Sequence, residues 1–105
     1  ITEHPGIDVV TTKNQTVLSC QSGTVLFTGY TQKDGYVLIV DHGSGYISVY
    51  KHNKTLFKQI GAKVQMNDPI AIVGSTGENS TGPHLHFELW YKQRPVNPVD
   101  YIKFE

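Results

Sequence analysis

The segment at residues 84–90, with the sequence HLHFELW, alternates polar and apolar side chains and constrains the fold more than any other part of the chain. Successive side chains of a β-strand point to opposite faces of the sheet. A strand here turns its apolar side chains toward a core, namely Leu85, Phe87 and Leu89. The opposite face then carries the imidazoles of His84 and His86 and the carboxylate of Glu88. Two imidazoles on a face that points away from the core favour a binding or catalytic site there.

Short runs typical of β-strands also dominate the rest of the sequence. Stretches rich in Val, Ile, Tyr, Phe and Thr alternate with Gly, Asn, Asp and Pro. The pattern predicts six strands, at residues 16–20, 23–30, 36–41, 46–50, 69–74 and 84–91. Hairpin turns are expected at 33–35 and 42–45, and only 55–60 favours a brief helical turn. We therefore expect an all-β fold, a small, mostly antiparallel barrel or sandwich that is closed or nearly closed.

The length and the charge of the chain limit its functional classes. Its 105 residues are enough for one hydrophobic core, so we expect a single domain over residues 1–105. Nine basic and nine acidic residues balance, which argues against nucleic acid as a partner. The apolar runs are too short for a transmembrane segment, and no signal peptide is recognised. Only three residues precede His4, which is a candidate metal ligand. We therefore expect that the full protein has upstream regulatory or tethering segments outside this sequence.

The single cysteine, Cys20, cannot form a disulfide within the chain. No other cysteine or histidine stands at ligand spacing beside it, and nothing in its local sequence would lower the pKa of its thiol. We expect it to be a small, half-buried strand residue.

A second histidine and a carboxylate, His4 and Asp8, lie four residues apart with Gly6 between them for a tight bend. Imidazole nitrogen and carboxylate oxygen are both ligands of zinc. On one strand face, His84 and His86 are about 6.6 Å apart at Cα, close enough to converge on one metal or one substrate. Together these residues predict a metal site, but their spacing does not say which of the two strand histidines binds the metal.

Three segments of the chain resemble the lysostaphin/LytM-type zinc metallopeptidases, and the resemblance covers almost the whole sequence. These segments are HPGIDV at 4–9, YKH at 50–52 and GPHLHFE at 82–88, and they occur in the family's order. The resemblance implies the small, mostly antiparallel β fold of the LytM type, with residues 1–105 as one metallopeptidase domain.

The resemblance also implies the roles of five residues. The ligands of one Zn²⁺ fall on His4, Asp8 and His86, and the two catalytic histidines fall on His52 and His84. Three protein ligands leave a fourth position for water, the expected nucleophile, whose pKa zinc lowers toward about 7. The two catalytic histidines would take up a proton and donate hydrogen bonds to the developing oxyanion.

The family's substrates imply what this chain would act on and where. Members hydrolyse peptide bonds in bacterial peptidoglycan, either stem-peptide crosslinks or bridges, and so remodel the cell wall. Peptidoglycan peptides are therefore the expected partners. The implied location is the bacterial cell envelope, periplasmic or extracellular.

Two further residues are candidates for supporting the site. Glu88 lies on the histidine face and could orient an imidazole, or it could simply be exposed to solvent. Tyr50 shares a face with His52 if the strand is regular, so it could line the substrate groove or be packed in the core. His42, at a turn, is expected to be structural.

Two other functions remain open. Some members of the family have lost zinc ligands and activate other cell-wall hydrolases without catalysis, although this chain keeps all five site residues. A phosphocarrier of the glucose-type IIA class has a similar β architecture and also brings two histidines together. It does not need the His4 and Asp8 pair, so zinc dependence would separate the two functions.

Overall fold

The computed structural model describes residues 6–10, 14–74 and 84–98, and nine β-strands make up most of this part. In chain order they are β1 (Ile7–Val10), β2 (Thr16–Leu18), β3 (Gly23–Thr31), β4 (Gly35–Gly43), β5 (Tyr46–Leu56), β6 (Lys63–Val64), β7 (Pro69–Val73), β8 (His84–Tyr91) and β9 (Arg94–Val96). The described residues include no α-helix, and hence none long and apolar enough to cross a membrane.

All nine strands belong to one antiparallel sheet. Its main order is β1-β8-β5-β4-β3-β6, and β7 and β9 branch from it by pairing with β5 and β8. The long strand β5 is the centre of the sheet, because its first half pairs with β8 and its second half with β7. Within the described residues β1 and β6 do not pair, so the sheet is open. The all-β, antiparallel prediction is confirmed, and the sheet is not closed.

The six predicted strands are all present, and the bounds of β8 agree with the prediction at both ends. Both hairpin turns are confirmed, with φ of 70° at Gly35 and 88° at Gly45. The helical turn predicted at 55–60 is wrong, because β5 continues to Leu56 and Thr55 pairs with β7. Pairing with a neighbouring strand overrides the weak local preference for a helix. The short strands β1, β6 and β9 were not predicted.

The hydrophobic core lies on one side of β4, β5 and β8. Leu38 and Ile70 are fully buried at its centre. The alternation predicted for β8 is confirmed, since Phe87 and Leu89 are each only 4% exposed in this core and Leu85 packs at its edge. The polar side chains of β8, those of His84, His86 and Glu88, therefore lie on the other side of the sheet. We call this side the site face.

Candidate metal and catalytic site

Strand β1 brings a carboxylate to the site face. It pairs with β8 so that Asp8 stands directly opposite His86. Gly6, just before β1, has a φ of 87° and lies against β8. A Cβ at this position would collide with the carbonyl oxygen of Phe87 and lie 2.7 Å from Cγ of Glu88. The tight bend expected at Gly6 is thus observed, and only glycine lets β1 approach β8 this closely.

The side chains of Asp8 and His86 are in direct contact. Oδ1 of Asp8 lies 2.7 Å from Nδ1 of His86. The Asp8 side chain is 55% exposed, whereas the His86 side chain is 10% exposed. The pair therefore lies at the boundary between the sheet and solvent, with the carboxylate on the open side.

Glu88 holds the other nitrogen of the His86 ring. Nε2 of His86 donates to Oε2 of Glu88 at 2.9 Å, and Nε1 of Trp90 donates to Oε1 at 2.9 Å. The ammonium of Lys51 also lies 2.9 Å from Oε2. Burial raises the pKa of Glu88, but hydrogen bonds from His86, Lys51 and Trp90 outweigh it and lower this pKa to about 2. An ionised carboxylate only accepts hydrogen bonds, so Nε2 carries a proton in its contact with Glu88, and the contact of Nδ1 with Asp8 needs a proton as well.

The same contacts act on the charge of the imidazole. The hydrogen bond to Glu88 raises the pKa of His86, burial opposes this, and the hydrogen bond to Asp8 raises it further. A ring between two carboxylates therefore favours a positive charge at this position, whether from a proton or from a metal ion.

A β-bulge in β5 brings His52 to the site face. Two pairs of β4 and β5 residues define it: Leu38 with Tyr50, and Tyr36 with Asn53. Between these pairs, Lys51 and His52 of β5 oppose the single residue Val37 of β4, and His52 has a φ of 66°. A bulge of this kind redirects side chains and is common beside active sites. Lys51 and His52 consequently both reach the site face, although they are consecutive residues.

The backbone around the bulge is hydrogen-bonded, and this fixes the position of His52. Its N–H donates to the carbonyl of Asp34 at 2.9 Å, and its carbonyl accepts from the N–H of Gly74 at 3.1 Å. The His52 ring centroid lies 5.3 Å from that of His84 and 6.2 Å from that of His86. The three imidazoles therefore form one group on the site face.

His4, a predicted metal ligand, lies outside the described residues. Tyr50 is packed in the core, 1% exposed, with its ring 5.3 Å from that of Phe87. Of the two alternatives for Tyr50 the structure has the packed one, because the bulge separates it from His52. Among the residues that the structure describes, no group of three or more His, Cys, Asp and Glu side chains is arranged to hold a metal.

The Tyr50 hydroxyl belongs to a second polar group, the core cluster of Cys20, His42, Ser48 and Tyr50. It accepts hydrogen bonds from the backbone N–H of Cys20 at 3.1 Å and from the Ser48 hydroxyl at 2.9 Å. Nδ1 of His42 donates to the carbonyl of Ser22 at 2.7 Å, and Nε2 lies 2.7 Å from the Ser48 hydroxyl oxygen. This bonding agrees with the structural role expected for His42.

The core cluster changes the properties of the only cysteine. Sγ of Cys20 lies 3.7 Å from Nε2 of His42. Burial raises the pKa of the thiol, but hydrogen bonds from His42 and Tyr50, and the charge of His42, lower it overall. The expectation that nothing would lower this pKa is therefore wrong, because His42 approaches from 22 positions along the chain.

Sequence reasoning missed two residues that contact Glu88, namely Lys51 and Trp90. Trp90 continues the alternation of β8, so the pattern could have assigned it to the site face. Lys51 stands opposite His86 only in the observed register of β5 and β8, and no local pattern reveals that register.

Comparison with known proteins identifies the family. The model of peptidase family M23 matches residues 2–98, so the chain belongs to this family. The murein hydrolase activator NlpD of Escherichia coli (strain K12) is 37% identical over 98 residues, covering 92% of this chain and 25% of the relative. The chain spans about a quarter of the length of the curated relatives it matches first.

Solved structures of two peptidases share the fold. A zinc-containing peptidase from Vibrio cholerae superimposes with a TM-score of 0.83 and 35% identity, over 87% of this chain and 28% of that one. The catalytic domain of the antimicrobial peptidase lysostaphin from Staphylococcus simulans gives a TM-score of 0.85 and 25% identity, over 93% and 77%. The resemblance to lysostaphin/LytM-type peptidases is therefore confirmed.

Proposed function

We propose that this chain is a zinc-dependent endopeptidase domain that hydrolyses peptide bonds in bacterial peptidoglycan, in stem-peptide crosslinks or bridges. The observation that carries the proposal is the Asp8–His86 pair beside the imidazoles of His52 and His84. Membership of peptidase family M23 and the likeness to a zinc-containing peptidase support it.

The donors on the site face fit a zinc ion. Oδ1 of Asp8 and Nδ1 of His86 are both of the ligand types that zinc prefers, and they are already in contact. Because Glu88 holds Nε2, Nδ1 is the nitrogen of His86 that would bind a metal, in place of its hydrogen bond to Asp8. We assign Asp8, His86 and His4 as the residues that would hold one Zn²⁺. When bound, this ion supplies a Lewis acid that polarises a peptide carbonyl and activates water.

The two remaining imidazoles would carry the proton transfers. Each ring can accept a proton at one nitrogen and donate a hydrogen bond from the other. With ring centroids 5.3 Å apart, His52 and His84 can serve a single reacting group. One would accept the proton of the attacking water and pass it to the leaving amine. The other would donate a hydrogen bond to the oxyanion as charge develops.

One alternative has specific support. The relative from Escherichia coli is named a murein hydrolase activator, so this domain could act by binding another cell-wall hydrolase. Relatives from Pseudomonas aeruginosa and Yersinia enterocolitica are named lipoproteins, which supports a cell-envelope location under either function. In both cases we take residues 1–105 as one LytM-type domain within a longer protein.

Digestion of purified peptidoglycan separates the two functions. The chain is incubated with peptidoglycan and zinc, and the soluble products are identified by mass spectrometry as fragments with new peptide amino termini. We expect such products with the wild type and a rate at least about 100-fold lower with His84→Ala. A chain that releases no product alone, yet accelerates a second murein hydrolase, would contradict the peptidase proposal and favour the activator.

A further inference from the structure

A chain of charged groups lies behind the His86 ring, on the side away from Asp8. Oε2 of Glu88 contacts both Nε2 of His86 and the ammonium of Lys51, each at 2.9 Å. The ammonium of Lys51 lies in turn 3.4 Å from Oδ2 of Asp34. We propose that Lys51 positions the His86 imidazole by fixing the Glu88 carboxylate, and that Asp34 holds Lys51 in place. The consequence for metal binding rests on the proposed zinc site.

The contacts of Glu88 show why Lys51 is needed. Trp90 engages only Oε1, whereas His86 and Lys51 share Oε2. The terminal torsion of a glutamate is broad, so one hydrogen bond from Trp90 leaves the carboxylate plane free to turn. Lys51 supplies the second fixed contact. Trp90 and Lys51 together fix the Glu88 carboxylate, and therefore the position of Oε2, which accepts from Nε2 of His86.

Burial increases the effect of Lys51. The Glu88 side chain is 5% exposed, and that of Lys51 is 22% exposed. Without the ammonium, a nearly buried carboxylate would lose its cationic partner and would turn toward water. The His86 ring would lose its fixed acceptor, and a loosely held imidazole is a weaker metal ligand.

Asp34 connects this chain of charges to the other half of the site. It lies in the β3–β4 turn, where its side chain contacts Lys51 and its backbone carbonyl accepts the N–H of His52. One turn residue therefore restrains both the support of His86 and the bulge that carries His52.

The test compares Lys51→Met with two matched variants. Lys51→Met removes the ammonium and keeps most of the apolar stem. Lys51→Arg restores a cation, and Lys54→Met removes an exposed lysine of the same strand, whose Nζ donates to Oδ1 of Asn14 at 3.1 Å. Nuclear magnetic resonance of the ¹⁵N-labelled, zinc-free chain gives the solvent-exchange rate of the His86 Nε2 proton. Calorimetric titration with zinc chloride then gives the affinity.

We expect Lys51→Met to exchange this proton about 10-fold faster than the wild type and to bind zinc about 10-fold more weakly. Lys51→Arg and Lys54→Met should stay within about twofold of the wild type in both measurements. Unchanged proton exchange in Lys51→Met would overturn the proposal, and so would an equal effect of Lys54→Met. If the wild type bound no zinc, the proposed function would fail, while the proton exchange would still decide the role of Lys51.

A second variant covers the case in which Lys51→Met does not fold. Asp34→Asn keeps the backbone carbonyl that holds His52 and removes the charge that holds Lys51. We expect the Nε2 proton of His86 to exchange about threefold faster, with the thermal unfolding midpoint nearly unchanged. A rate equal to that of the wild type would contradict the assigned role of Asp34 and of the charge chain.

Discussion

The site face and the core cluster lie on opposite sides of β5, and each is built around a histidine with both ring nitrogens engaged. In the core cluster, the oxygens that His42 contacts are neutral, a backbone carbonyl and the Ser48 hydroxyl. On the site face, His86 lies between two carboxylates, Asp8 and Glu88. The same residue type thus contacts two neutral oxygens and the Cys20 thiol in one place and two carboxylates in the other.

This difference separates a structural histidine from a candidate metal ligand better than burial does. Two carboxylates around an imidazole attract a metal cation, whereas at His42 burial lowers the pKa but the hydrogen bonds with Cys20 and Ser22 outweigh it, which favours only a proton on the ring. We therefore expect substitutions on the site face to change metal binding and those in the core cluster to change stability.

The largest effect should come from removing a proposed ligand. Asp8→Ala and His86→Ala each remove a donor, so zinc affinity measured by calorimetry should fall more than about 100-fold, beyond the loss expected for a supporting residue. His42→Ala should leave the affinity nearly unchanged. His52→Ala and His84→Ala should retain zinc but lose hydrolysis. A loss of zinc in His84→Ala as complete as in His86→Ala would refute the division between ligand and catalytic histidine.

Gly6→Ala should be the next most severe change. The new Cβ meets the backbone of Phe87, and the positive φ disfavours alanine, so we expect a loss of about 3 kcal/mol in the free energy of unfolding. Zinc affinity should fall as well, because β1 carries Asp8. Gly61→Ala is the control, since Gly61 has a φ of 91° and no described residue within 4 Å of the added Cβ, and it should cost about 1 kcal/mol. If Gly6→Ala and Gly61→Ala lowered the free energy of unfolding equally in denaturant titrations, β1 would not pack closely against β8.

Tyr50→Phe should affect stability alone. Removing the hydroxyl leaves the Cys20 N–H and the Ser48 hydroxyl without their shared partner, at a cost of about 1–2 kcal/mol by denaturant unfolding. Zinc affinity should be unchanged, because the ring faces the core. A marked loss of zinc binding in this variant would mean that the core cluster and the site face are coupled through β5.

The smallest effect concerns the Cys20 thiol. Hydrogen bonds and charge from His42 outweigh burial and lower its pKa, so the rate of alkylation should reach half its maximum at a pH below 9.0. A lowered folded-state pKa means that this interaction stabilises the fold above pH 9.0 and is lost as the pH falls through the folded-state value. His42→Asn should raise the alkylation midpoint. A midpoint at or above 9.0 in the wild type would contradict the contact between Sγ and the imidazole.

Alternation within one strand made half of the site predictable. The pattern of β8 correctly assigns Phe87 and Leu89 to the core and His86 and Glu88 to the opposite face. This works because a strand with one buried face has a strict period of two.

The same rule fails in β5 at His52. Extended regularly, it puts Tyr50 and His52 on one face, but the bulge turns them to opposite sides. A bulge depends on pairing with β4, and contacts such as Cys20 with His42 depend on the whole sheet. No local sequence pattern predicts the bulge or the contact between Cys20 and His42, so both can be identified only in the folded structure.

Calorimetric titration of the metal-free chain with zinc tests the central claim most directly. We predict tight binding of one zinc ion per chain by the wild type, and no tight binding by either Asp8→Ala or His86→Ala. No binding by the wild type, or tight binding that survives both substitutions, would contradict the assignment of a zinc site to this face of the sheet.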